Sequence, residues 1–124
     1  MNILRLASML ALAFAITGCA TPGKYQWGNY DSSLYQYYKD PSISAKHMTE
    51  LSAIIESAAA TNARVAPGIH AEYGYFLLQD GKAAEARKQF EMEKAVWPES
   101  SQFMTVMIDL ADGKKTEQIA GQSK

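Results

Sequence analysis

Two histidines, His47 and His70, one cysteine, Cys19, and a scatter of serines and carboxylates are all that this 124-residue chain offers for chemistry. A metal site needs three or four ligands at set spacings, as in the paired histidines of HExxH on one helix face. Neither histidine belongs to such a pattern. His70 and Glu72 are two residues apart, so on a helix they point to different sides. His47 reads as a solvated helix residue, and His70 as one packed against the preceding helix. Ser32 and Ser33 have no nearby histidine and no GxSxG elbow to expose a nucleophile. Glu91 and Glu93 fall on opposite sides of a helix, a poor geometry for paired acid and base work. The glycines form no loop that could cradle a phosphate. The sequence therefore predicts no catalytic residue, no metal site and no cofactor, and a protein that is not an enzyme.

Cys19 is different, because its surroundings are ordered. Residues 1–5 are a short segment with one positive charge, Arg5, and residues 6–16 are an apolar run broken only by Ser8. Such a run has the length of a signal-peptide core and is too short for a bilayer, which takes about 20 residues. Ile16-Thr17-Gly18-Cys19 then resembles a bacterial lipobox, in which an aliphatic and two small residues precede a thiol that can be acylated, with palmitate for example. Residues 1–18 are thus expected to be a signal peptide, and residues 19–24 a lipidated tether. Cleavage leaves 106 residues with 11 basic and 13 acidic side chains. Several acyl chains, at about 0.8 kcal/mol per buried CH₂, would anchor the protein stably. Ala20 after the cysteine is compatible with export to the outer membrane, where Asp would favour inner-membrane retention in enterobacterial lipoproteins. With Cys19 acylated no disulfide remains, even in an oxidising compartment.

About 106 residues make one small domain. The slight negative charge and the lack of a basic run argue against nucleic acid. No later segment is long and apolar enough to span a membrane. Residues 113–124 are polar and are expected to form a flexible tail, which leaves residues 25–112 for the fold.

Those residues read as helical. Asp31 can cap a helix over 32–39 that places Leu34, Tyr37 and Tyr38 near one face. Asp40-Pro41 is a stop followed by a start, because the residue before proline resists helical angles while proline suits a first helical position. A second helix over 41–60 would carry Met48, Leu51, Ile55 and Ala58 along one stripe. Pro67 opens a third, through Tyr73, Tyr75, Phe76, Leu77 and Leu78, closed by Asp80 and a left-handed Gly81. A fourth spans 83–97, with Ala83, Ala86, Phe90 and Trp97 on one side and Arg87–Glu91 as a surface pair. Pro98 ends it. Ser100 can cap a fifth over 101–111, through Phe103, Val106, Met107 and Leu110, which Gly113 stops. β-branched alternation is absent, so no sheet is expected. The predicted class is all-α, about five helices in antiparallel hairpins.

From Pro67 to Ser100 there are 34 residues, the length of a tetratricopeptide repeat. The landmarks resemble that repeat. Gly74 takes the small position of the first helix, Leu77 the large apolar one, and Gly81 the turn. Ala86 faces the crossing, Phe90 follows one turn later, and Pro98 ends the unit. His70 and Glu93 depart from it, standing where Trp and Ala are common. Residues 32–60 could be a degenerate preceding unit and 101–111 a capping helix.

The segments YQWGNYDSSLYQYYKDP, PGIHAEYGYFLL and FEMEKAVWPESSQFM resemble a family of small, poorly characterised proteobacterial lipoproteins, over most of residues 19–111. Members are often encoded beside lipoproteins resembling the curli secretion channel. The resemblance implies an envelope location and such a partner, and supplies no catalytic residue.

The aromatics remain. Trp27 and Tyr30, with Tyr25, Tyr35, Tyr37 and Tyr38, either clasp the helices or dock a partner, since Tyr and Trp are favoured interface anchors. In a tetratricopeptide unit the first helix lines the groove, which here means Ala71, Glu72, Tyr75, Leu78 and Gln79, with Tyr75 as the natural anchor. The expected protein is a lipid-anchored adaptor of the outer membrane, facing the periplasm and binding an envelope partner such as a curli-type secretion complex. A pilotin-like chaperone for a channel subunit and a purely structural envelope lipoprotein are the alternatives.

Overall fold

A computed structural model describes residues 24–114. The expected signal peptide, Cys19 and most of the tail lie outside those residues. Five α-helices follow one another among the described residues: α1 Tyr30–Lys39, α2 Ser44–Ala60, α3 Ile69–Gln79, α4 Ala83–Val96 and α5 Ser101–Ala111. The chain is all-α, built of helical hairpins, and no strand occurs among the described residues. A single parallel bridge joins Gln26 to Val65.

Helix starts depart from expectation for local reasons. α1 begins at Tyr30, so Asp31 sits in its first turn rather than capping it. There it still favours the positive end of the helix dipole. Pro41 opens a short 3₁₀ turn, Pro41–Ile43, and α2 starts only at Ser44. Asp40 caps that turn, its carboxylate accepting Ser42 N–H at 3.0 Å. Ser100 does not cap α5; its hydroxyl donates back to the Trp97 carbonyl at 2.7 Å. Gly81, with φ +76°, and Gly113, with φ +72°, end α3 and α5 in the left-handed region, as read from the sequence.

α3 and α4, joined by residues 80–82, form the most extensive helix pair, and α5 packs next against α4. Gly74 sets the first crossing. A Cβ there would fall 2.6 Å from Phe90 Cε1 and 3.2 Å from the Ala86 carbonyl oxygen. The three small-or-aromatic positions picked out by the 34-residue spacing therefore do meet.

Two apolar clusters share α3. Leu51, Ile54, Ala58, Val65, Ala66, Ile69 and Phe76 make the first; Leu77, Ala86, Phe90 and Met104 make the second. Adjacent residues Phe76 and Leu77 point into different clusters, so α3 is the wall between them. Trp97 closes the far end, its indole N–H reaching the Val65 carbonyl at 3.3 Å, with Tyr25 edge-on at 5.4 Å and the Arg64 guanidinium over its face at 3.9 Å.

The buried stripes differ in phase from the expected ones. On α1, Ser33 is buried and Tyr37 partly so, while Tyr38 is exposed. On α2 the stripe is His47, Leu51, Ile54 and Ala58; Met48 and Ile55 flank it. On α5 Met104 is buried, and Phe103 and Leu110 face outward.

Candidate functional site

His47 is the first correction: it is fully buried, not solvated. Its Nδ1 lies 2.8 Å from Ser33 Oγ on α1, and its Nε2 lies 2.8 Å from Glu72 Oε1 on α3. The ring stacks on Tyr37 at 5.6 Å and meets Phe76 edge-on at 5.7 Å. Tyr30 O–H donates to the other Glu72 oxygen at 2.8 Å. Ser33 thus has a histidine partner after all, one that arrives from the next helix. Each ring nitrogen therefore has one hydrogen-bond partner, so the buried imidazole is satisfied on both sides.

The order serine, histidine, carboxylate invites comparison with a nucleophilic triad. Here the serine meets Nδ1 and the acid Nε2, the reverse of the hydrolase template. Ser33 Oγ also lies 3.0 Å from the Tyr30 carbonyl within its own helix. The Ser33 N–H is itself bonded to the Asn29 carbonyl at 3.0 Å. What the chain can do is tie α1, α2 and α3 together through a buried polar relay. Burial, then the hydrogen bond to Glu72 and that carboxylate's charge, hold the Tyr30 phenol well above its ordinary pKa.

The two departures from the repeat pattern are both buried and both partnered. His70 Nδ1 lies 2.7 Å from Gln89 Oε1, so its polar contact is with the following helix, α4, not the preceding one. Glu93, on α4, accepts the Gly68 N–H at 2.7 Å, just ahead of α3. A carboxylate is placed where the start of α3 leaves amides without intrahelical partners. Its second oxygen has no partner within the described residues.

The outward side of α3 carries the candidate surface. An open groove of about 300 Å³ is lined by Gly68, Ala71, Glu72, Tyr75, Phe90, Phe103, Met104 and Met107. Its walls are α3 and α5, and Phe90 of α4 is part of the lining. Carbon dominates, and Glu72 is its one charged side chain. Tyr75 is 47 % exposed and Phe103 62 %. By contrast Leu77, on the opposite side of α3, is fully buried and Tyr73 partly so.

Of the positions expected to line a groove, Ala71, Glu72 and Tyr75 do so. Leu78 turns toward the second core cluster. Gln79 is exposed and donates to the Tyr75 hydroxyl at 2.6 Å, bracing the ring rather than forming a wall. Trp27 is exposed and packs on Tyr30 at 5.6 Å. Tyr30 itself lies against the first core cluster and meets the groove only through its hydrogen bond to Glu72. Phe103, Met104 and Met107 form the second wall, which sequence reasoning did not assign to the groove. The apolar repeat of 101–111 was visible, but its two alternative stripes are equally apolar. No group of three or more metal-ligating residues comes together among the described residues.

Fold and surface together define an all-α helical-hairpin domain with an open apolar groove on the outer side of its third helix. The chain belongs to the family of a domain of unknown function, DUF4810, whose pattern matches residues 24–107. No curated protein and no solved structure matches it.

Proposed function

We propose that the mature chain is a lipid-anchored adaptor of the bacterial outer membrane, facing the periplasm, and that the groove between α3 and α5 receives apolar side chains of an envelope protein. The observation that carries this reading is the exposure of both Tyr75 and Phe103 in the lining of one open, carbon-lined groove. Aromatics half out of the core at a concave surface are the usual anchors of a protein interface. The tetratricopeptide-like spacing of residues 67–100 supports the same surface, since that repeat presents its first helix to partners.

Attachment rests on the apolar run, the small residues and Cys19 in order. No helix among the described residues is long and apolar enough to cross a membrane, so a lipid on Cys19 supplies the anchor. The resemblance to lipoproteins encoded beside curli-secretion-channel-like lipoproteins nominates such a channel lipoprotein as the client. The Ser33–His47–Glu72 relay is assigned a structural role and no catalysis.

A photo-crosslinking side chain placed at position 103 in living cells tests the reading, with position 92 on exposed α4 as reference. The adaptor reading predicts one discrete crosslinked envelope protein from position 103 and none from position 92. Equal, diffuse crosslinking from both positions contradicts it.

A further inference from the structure

The outer face of α1 carries aromatics that neither core cluster uses. Tyr35 and Tyr38, one turn apart, are 60 % and 76 % exposed, and Trp27, in the turn before the helix, is 43 % exposed. The inward side of the same helix is fully occupied: Ser33 and Tyr37 face His47, and Tyr30 reaches Glu72. Lys39 stands over the Tyr35 ring, its ammonium 4.7 Å from the centroid. Large amphipathic rings with lysines beside them are the side chains that settle at a bilayer's headgroup level, ring toward the acyl boundary and polar end toward water.

Chain length decides what can cover this face. Under the lipid-anchor reading, on which this step rests, Cys19 lies in the interface, and only five peptide steps separate it from Lys24. Fully extended, they reach about 18 Å, which is less than the span of a small domain. Trp27 follows three residues later and leads directly into α1. The tether therefore keeps Lys24 within that reach of the membrane, and from Lys24 the chain passes Tyr25 on Trp97 and Trp27 on Tyr30 into α1.

We infer that Trp27, Tyr35 and Tyr38 form a membrane-resting face, seated on lipid headgroups, which orients the domain on its anchor. The occupant is the lipid surface. Lys39, over the Tyr35 ring, adds attraction to anionic headgroups.

The experiment uses the acylated protein purified from membranes and reconstituted on vesicles of phosphatidylethanolamine and phosphatidylglycerol. Flotation reads the anchor. Quenching of tryptophan emission by lipids brominated near the headgroup end of the acyl chain reads the face. Trp27 is one of two tryptophans, and Trp97 is buried, so the floated wild type is expected to lose up to half its emission. Trp27→Phe should float equally and lose almost none. Tyr35→Ser with Tyr38→Ser should float equally and be quenched much less than wild type. A floated wild type with no quenching overturns the inference and leaves the anchor standing. A wild type that does not float removes the anchor and the inference with it. Quenching unchanged in the double tyrosine variant overturns the assignment of the α1 face.

Discussion

Glu72 is the residue at which structure and surface meet. One oxygen accepts from His47, the other from Tyr30, and part of the side chain still lines the groove. Removing it leaves a fully buried imidazole nitrogen and a part-buried phenol without partners, a loss of about 1–3 kcal/mol for each group so stranded. Glu72→Ala is therefore expected to lower the melting temperature sharply, whereas Glu56→Ala, on exposed α2 surface, should leave it nearly unchanged. A Glu72→Ala protein that melts like wild type would remove the relay from the account.

Tyr30 gives the same relay a signature in pH. Folding raises its phenol pKa above the ordinary value near 10. A group raised on folding contributes stability that is whole below the unfolded pKa and is lost as pH climbs past it. Stability should thus hold up to about pH 10 and fall above it as the unfolded state sheds the proton more easily. Tyr30→Phe should be less stable at neutral pH and show a flatter alkaline limb in urea titrations between pH 8 and 11. An alkaline limb of unchanged slope would place the relevant titration elsewhere.

At the scale of elements, what was legible in the sequence was whatever is decided locally. Asp40-Pro41, Gly81, Pro98 and Gly113 mark real boundaries because they act on their own backbone. The Gly74–Ala86–Phe90 crossing was legible because the repeat spacing encodes it. His47 was not. The stripe through Met48, Leu51, Ile55 and Ala58 is as apolar as the true one, and choosing it turns position 47 toward solvent. The partners that bury it, Ser33, Tyr37, Glu72 and Phe76, lie 10 to 29 residues away and leave no local mark. The same ambiguity hid Met104, since α5 is apolar on two sides and only packing against α4 selects one.

The crossing itself makes a firm prediction. Gly74→Leu forces a side chain into Phe90 and the Ala86 carbonyl, where even a Cβ is too close. Overpacking of this kind costs about 1–3 kcal/mol or more. Far-UV circular dichroism should stay helical while the melting temperature falls, and Ala86→Leu should behave alike. No change in either variant would mean that α3 and α4 do not cross here.

The whole molecule, on the proposed function, carries a lipid anchor ahead of the helical domain and its groove. The anchor is tested by labelling with a radioactive fatty acid. Cys19→Ser should incorporate none and should be released from membranes or remain an unprocessed precursor. Equal labelling of both proteins would contradict the lipoprotein reading. The groove is the central claim, and the helices define its test. Tyr75 and Phe103 project away from the two core clusters, so replacing them should spare the fold. The decisive measurement is the affinity of the wild-type protein for its crosslinked envelope partner, compared with Tyr75→Ala and Phe103→Ala proteins that melt normally. An aromatic hot spot is worth about 2 kcal/mol or more, and each variant should therefore bind about 30-fold more weakly. Unchanged affinity in both variants, with unchanged melting, would contradict the groove as the docking surface.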